Sequence, residues 1–197
     1  MTFTDVVTEI CTRVNDPDKD TYGLRAESAF LQAICELAIS EETQLEEIQE
    51  LVQEIEASDN GSSGPVDFVG GEAAQDIPYG TLKVIDVYIT PEDLVNTELT
   101  LKEVTHDEIK RTKLEPSFLP GGNECFWYRV KNQIRFLLSG EWGSDDAVGF
   151  RIQAIVNPES TEWGEDDLTS DRGYSLGFLY RCIDNAVAKI RLEIAGA

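Results

Sequence analysis

The apolar positions change period twice along the chain, from three-to-four residues to two and back again. Phe3, Val6, Val7, Ile10, Cys11 and Val14 follow the i, i+3, i+4, i+7 spacing of an amphipathic helix, which Asn15-Asp16-Pro17 breaks. A second helix is predicted from Leu24 to Ile39, with Phe30, Ala33, Ile34, Leu37 and Ala38 on one face. Ser40 can end it, and Thr43-Gln44-Leu45-Glu46 reads as a capping box. A third helix is predicted from there, with Leu45, Ile48, Val52 and Ile55 turned inward. Asn60-Gly61-Ser62-Ser63-Gly64-Pro65 and Gly70-Gly71 then mark a flexible connection or extended arm. From Thr81 the period becomes two. Ile85, Val87 and Ile89 share a strand face, and Leu99 and Leu101 begin another strand. Phe126–Val130 and Ile134–Leu138 flank the polar Lys131-Asn132-Gln133 and read as a hairpin. Phe150, Ile152, Ala154 and Val156 make a further strand. The last segment is helical again, with a seam of Leu176, Tyr180, Ile183, Val187, Ile190 and Ile194.

This order predicts an α+β fold, in which an N-terminal helical bundle is completed by a C-terminal helix and carries an inserted antiparallel β unit. The expected boundaries are 1–57 for the helical region, 58–80 for the linker or arm and 81–157 for the β insertion. An acidic loop at 158–173 and a C-terminal helix at 174–197 that rejoins the bundle complete the chain.

Charge sharpens the picture. The 197 residues carry 38 carboxylates against 16 basic side chains, a formal net charge of −22. No Lys or Arg occurs from Ala26 to Leu82, a stretch with 13 carboxylates. Within it Glu42, Glu46, Glu50 and Glu54 stand four apart, a spacing that would stack them on one face of the predicted third helix. Such a stripe is either a solvated face or a useful negative surface. Glu141 to Asp171 holds nine carboxylates against Arg151 alone. From Arg172 onward the sign reverses, with Arg172, Arg181, Lys189 and Arg191 against Asp184 and Glu193. This balance argues against gripping nucleic acid or an anionic membrane through a basic patch. No apolar run reaches membrane-spanning length. The opening MTFTDVVTEI lacks the basic start of a secretory leader, so an unexported chain is expected. Cys11, Cys35, Cys125 and Cys182 form no CxxC pair and are expected as buried thiols.

The candidate chemistry is thin. Asp16-Pro17-Asp18-Lys19-Asp20 opens like a calcium loop, with Glu27 at the twelfth position. Thr21 stands where the sharp turn needs glycine, so a polar interhelical loop is the better reading. Trp163-Gly164-Glu165-Asp166-Asp167 clusters carboxylates that in principle bind Mg²⁺, but no basic residue or histidine completes a site, and a solvated loop is expected. A metal-dependent enzyme built there is the least favoured class. His106 is the only histidine, and no Walker motif, G-x-G-x-x-G or G-x-S-x-G occurs. No catalytic residue, cofactor or metal is therefore expected. Trp142 and Trp163 lie in Gly- and acid-rich stretches, as candidates either for a protein interface or for lids over the sheet. Lys189, Ile190, Arg191, Leu192 and Ile194 near the chain end are the other interface candidates.

The layout resembles the head-to-tail connector proteins of tailed bacteriophages, also called adaptor or neck proteins. The matching pieces are the Thr4–Val14 and Arg25–Ile39 helices split by an Asp/Pro loop, Pro116-Ser117-Phe118-Leu119-Pro120 ahead of the Phe126–Leu138 hairpin, and the Phe150–Val156 strand. The Tyr174–Ile194 helix follows, with Cys182-Ile183-Asp184-Asn185-Ala186-Val187-Ala188 in its middle. The acidic third helix and the 57–80 stretch depart from the simplest members. The resemblance implies a structural virion protein, assembled in the host cytoplasm as a homo-oligomeric ring, a dodecamer, docked beneath the portal and followed by a tail or neck protein. It would have no enzymatic activity, and genomic DNA would pass through a negative channel without specific binding. The alternative is an acidic interaction factor acting as a small oligomer, such as a tail completion protein or a DNA-mimic inhibitor.

Overall fold

The computed structural model describes residues 1–56, 72–77, 79–91, 99–114, 125–138, 147–158 and 163–196. The chain divides into a unit of Met1–Gln53 with Ile155–Ala197 and a unit of Glu54–Ala154. The fold is α+β, with helices at both ends of the chain and the strands between them.

In the first unit, α1 spans Phe3–Arg13 and is closed at its start by a reciprocal cap. Asp5 N–H donates to Thr2 Oγ1 at 3.2 Å, and Thr2 N–H donates to the Asp5 carboxylate at 2.9 Å. Val6, Val7, Ile10 and Cys11 form its buried face, as their spacing predicts. The helix α2 spans Gly23–Ala38 and buries Ala26, Ala29, Phe30, Ala33, Ile34 and Ala38. Four of these six are alanines, which allows a close approach of neighbouring helices. The C-terminal helix α4, Leu176–Gly196, packs against both. Its buried positions are Phe178, Leu179, Cys182, Ile183, Ala186, Val187 and Ile190. The predicted seam was therefore rotated at its start: Leu176 and Tyr180 are exposed, and Phe178 and Leu179 take their place.

The predicted third helix does not form. Residues Leu45–Glu47 and Gln49–Leu51 make two short 3₁₀ turns, and Val52–Glu56 is strand β1. The reciprocal cap here joins Gln44 and Glu47, not Thr43 and Glu46. The backbone takes partners elsewhere, as buried peptide groups must. Ser175 N–H donates to Glu47 C=O at 2.9 Å, Gln49 N–H donates to Gly173 C=O at 3.3 Å, and Ile48 bridges Tyr174. Stacked like charges would also have penalised the helix. Gly173 has φ of +72°, and a Cβ there would meet the Gln49 Cβ at 3.1 Å, so this crossing requires glycine.

The second unit is built on two four-stranded sheets. One has the order β1, β8 (Ala147–Val156), β3 (Thr81–Pro91), β4 (Leu99–Thr100). The other has the order β2 (Glu72–Asp76), β7 (Gln133–Leu138), β6 (Cys125–Val130), β5 (Lys102–Glu103). The β6–β7 hairpin forms as predicted, with Val130 opposite Gln133 and Lys131 at φ of +55° in the turn. Two features depart from expectation. Strand β2 lies inside the 58–80 stretch expected as linker and pairs with β7. Strand β5 runs parallel to β6, so the insertion is not wholly antiparallel. Val87 and Ile89 of β3, Ile152 and Ala154 of β8, Trp127 of β6 and Ile134 and Phe136 of β7 meet in one core. A helix the periodicity does not announce, α3 at His106–Leu114, contributes Ile109 to a smaller cluster with Val104 and Tyr128.

Candidate functional site

The residues marked by the sequence fall into three places in the helical unit. The first is the 40–51 segment, laid across residues 173–175. Its four-residue carboxylate spacing is not a helical face. Glu42 and Glu46 are exposed, together with Glu41. Glu50 is largely buried: its Oε1 accepts from Trp163 Nε1 at 2.8 Å and from Arg172 at 3.4 Å. Glu54 belongs to the other unit and pairs with Arg151. Glu47, which the sequence did not single out, accepts from Ser175 Oγ at 3.1 Å and from Arg181 at 2.9 Å. Its own N-cap contact from the Gln44 N–H, helped by Ser175 and Arg181, holds its carboxyl below the ordinary value.

The second place is the acidic loop at 163–172. Trp163, a candidate either for an interface or for a lid over the sheet, is wholly buried in the helical unit. Its ring meets Phe3 and Tyr174 edge-on, with centroids 5.3 and 5.9 Å away. Arg172 donates to Asp166 through Nε at 3.0 Å and through a second nitrogen at 2.9 Å, and so ties the loop to Glu50. Glu50 Oε2 and the Tyr174 hydroxyl are buried without a hydrogen-bond partner of good geometry. Burial, and then the Glu50 carboxylate, push the Tyr174 phenol far above its ordinary value. Asp167 accepts from the Met1 amine and from the Thr169 and Ser170 backbone N–H groups, contacts that hold its carboxyl far below the usual range. These carboxylates are engaged in holding the loop. Among the described residues, no group of three or more His, Cys, Asp or Glu side chains is arranged to hold a metal ion. Asp16, at the head of the calcium-like sequence, instead accepts from the backbone N–H groups of Thr21 and Tyr22 at 3.2 and 2.7 Å.

The third place is the end of α4. Ile190 is wholly buried and belongs to the bundle core. Lys189 pairs with Glu36 at 2.7 Å, and Arg191 donates to the Arg13 carbonyl at 2.7 Å. Both cations have a partner within the chain, a carboxylate for Lys189 and a backbone carbonyl for Arg191. Leu192 and Ile194 remain exposed, at 74% and 43%. Trp142 lies outside the described residues. Cys11, Cys35 and Cys182 are free thiols, and burial pushes Cys182 up to about 12. No described helix is long and apolar enough to cross a membrane.

Most cations of the helical unit are paired with carboxylates, Lys19 and Arg191 excepted among the described residues. Arg13 pairs with Glu9 and Asp184, Arg25 with Glu193, Arg172 with Glu50 and Asp166, Arg181 with Glu47, and Lys189 with Glu36. Exposed carboxylates, among them Glu41, Glu42 and Glu46, and the apolar Leu192 and Ile194 remain on its surface. Comparison with known proteins assigns no family: no family model matches the chain, and no curated protein matches it.

Proposed function

We propose that the protein is a structural component of a tailed-phage virion, a ring-forming adaptor between the portal and the tail or neck protein below it. One observation supports this reading above the others: two N-terminal helices and a returning C-terminal helix pack as one unit, and the β unit is inserted between them. That is the layout of head-to-tail connectors. In this reading the helical unit is the constant scaffold and the β unit carries contacts to neighbouring components. Leu192 and Ile194 are the exposed apolar residues at the chain end suited to docking on the portal. A net charge of −22 per copy gives the ring a channel that repels DNA phosphates, so that the genome passes without adhering. The reading calls for no turnover and no cofactor.

Negative-stain imaging of the purified protein, alone and with portal rings, tests it. The expected result is closed rings of about twelve copies that stack on the portal. A protein that stays monomeric or dimeric at high concentration, ignores the portal and binds a basic DNA-processing enzyme would replace this reading with the acidic-inhibitor alternative.

A further inference from the structure

The start of α4 carries an apolar face open to solvent. Leu176 and Tyr180 are 51% and 41% exposed, and Gly177 between them is exposed as well. At about 100° per residue the three fall within an arc of about 100° on one side of the helix. Further along that side Ile183 and Val187 are buried, so only its first part is open. Gly177 is a second observation. It stands in the first turn of the helix, where glycine costs stability relative to alanine. Its φ is not positive, and among the described residues a Cβ there would meet only the Ser175 Oγ at 3.9 Å, an ordinary contact. The packing of the chain gives no reason for glycine at 177. Another backbone passing close over that point does.

Charge around this face has one sign. The segments packed about the start of α4 are α1, residues 44–51 and residues 163–172. Their cations, and that of α4 itself, are engaged: Arg13 by Glu9 and Asp184, Arg172 by Glu50 and Asp166, Arg181 by Glu47. Glu46, one residue before the Glu47–Ser175 backbone bond, is exposed and has no cation partner. Asp184, 70% exposed, shares its single cation with Glu9 and ends the open arc. Lys19 lies in the loop between α1 and α2, and Arg191 lies about three turns beyond Tyr180.

We infer that the face of Leu176, Gly177 and Tyr180 docks a basic amphipathic helix of another protein. Aliphatic or small residues of that helix seat over Gly177, between Leu176 and Tyr180, and Lys or Arg on its flanks reach the carboxylate rim. Charge complementarity selects this occupant. A second copy would bring the same excess of carboxylates to the contact, in a chain of net charge −22. Nucleic acid and an anionic bilayer carry the wrong sign. This docking does not depend on the virion role.

A synthetic peptide of about eighteen residues, or five helical turns, with Leu and Ala on one face and Lys on both flanks, is the probe. It is titrated into the isotope-labelled full chain at about 150 mM salt, and amide shifts are followed by NMR. The shift changes are expected to centre on residues 175–181, and a scrambled peptide of the same charge should bind at least about tenfold more weakly. Leu176→Ser/Tyr180→Ser and, separately, Gly177→Gln should each lose at least about tenfold in affinity. Gly177→Gln is the sharper of the two, because it adds a side chain into open space and leaves every carboxylate in place. It should keep the circular dichroism of the wild type and melt no lower. Asp18→Asn/Asp20→Asn, which removes carboxylates in the loop between α1 and α2, should bind like the wild type. No binding at about 1 mM peptide, equal binding of the scrambled peptide, or shift changes centred elsewhere on the acidic surface would each overturn the inference. So would a Gly177→Gln variant that binds like the wild type, or one that fails to fold, which would show the face to be covered. A wild-type dimer in sedimentation that Gly177→Gln dissolves would overturn it in favour of a second copy.

Discussion

Replacing Trp163 with alanine distinguishes a core residue from a surface one. The indole is wholly buried, touches Phe3 and Tyr174, and donates to Glu50 at 2.8 Å. Truncating a buried tryptophan costs about 3–5 kcal/mol through lost burial and the cavity left behind. Total stability is on the order of 5–15 kcal/mol, so the loss is about a fifth of it or more. Trp163→Phe keeps most of the ring volume and removes only the hydrogen bond to an ionised acceptor, worth about 1.5–3 kcal/mol. Urea unfolding followed by far-UV circular dichroism measures both. The expected order of midpoints is wild type, then Trp163→Phe, then Trp163→Ala, with the last far below. If Trp163→Ala unfolded at the wild-type midpoint, the ring would not be in the core, and the placement of the whole 163–174 loop would be wrong.

Four further outcomes are expected. Ile190→Ala should cost about 2–5 kcal/mol in the same assay, while Leu192→Ala should stay within about 0.5 kcal/mol, because only the first is buried. Glu47 has a folded-state value below its ordinary 4.5, so its contribution is present above that value and is lost as pH falls through the folded-state value. Stability should therefore drop as pH is lowered from about 4.5, and Glu47→Gln should flatten that slope in acid melts. Brief alkylation of native protein at about pH 8, read by mass spectrometry, should label Cys35 ahead of the buried Cys11 and Cys182. Calcium should leave the melting temperature unchanged, since Asp16 already serves the backbone of Thr21 and Tyr22; a calcium-specific rise would reopen that loop as a site.

The elements that were legible are those whose period survives in the packed structure. The helices α1 and α2 and the β6–β7 hairpin each repeat one spacing without interruption. The 45–56 stretch was misread because Leu45, Ile48, Val52 and Ile55 fit a helix and its Leu, Glu and Gln favour one, while a segment this short follows its tertiary partners. Those partners, Gly173, Tyr174 and Ser175, lie more than a hundred residues away and leave no local trace. The helix α3 was missed for the opposite reason, since it buries a single residue, Ile109, among its described side chains. Its signal was present nonetheless: Thr105-His106-Asp107-Glu108 is a capping box, and Glu108 accepts from the Thr105 N–H at 2.7 Å. The parallel sense of β5 was not readable, because side-chain alternation carries no strand direction. Among the site residues, a tryptophan in a polar loop read equally as an interface residue or a lid, and the end of the last helix was offered as an interface. The burial of Trp163 and the pairing of Lys189 with Glu36 both depend on distant residues, and neither can be seen in linear order.

The β unit leaves the helical unit through β1 and returns to it through β8, and these two strands are neighbours in one sheet. An insertion whose entry and exit share a sheet behaves as a cassette. Its interior can lengthen, shorten or be exchanged for another module while the flanking helices keep their own core and their own ion pairs. Sequence drift is therefore expected to accumulate between Glu54 and Ala154, where surface contacts can change without refolding the bundle.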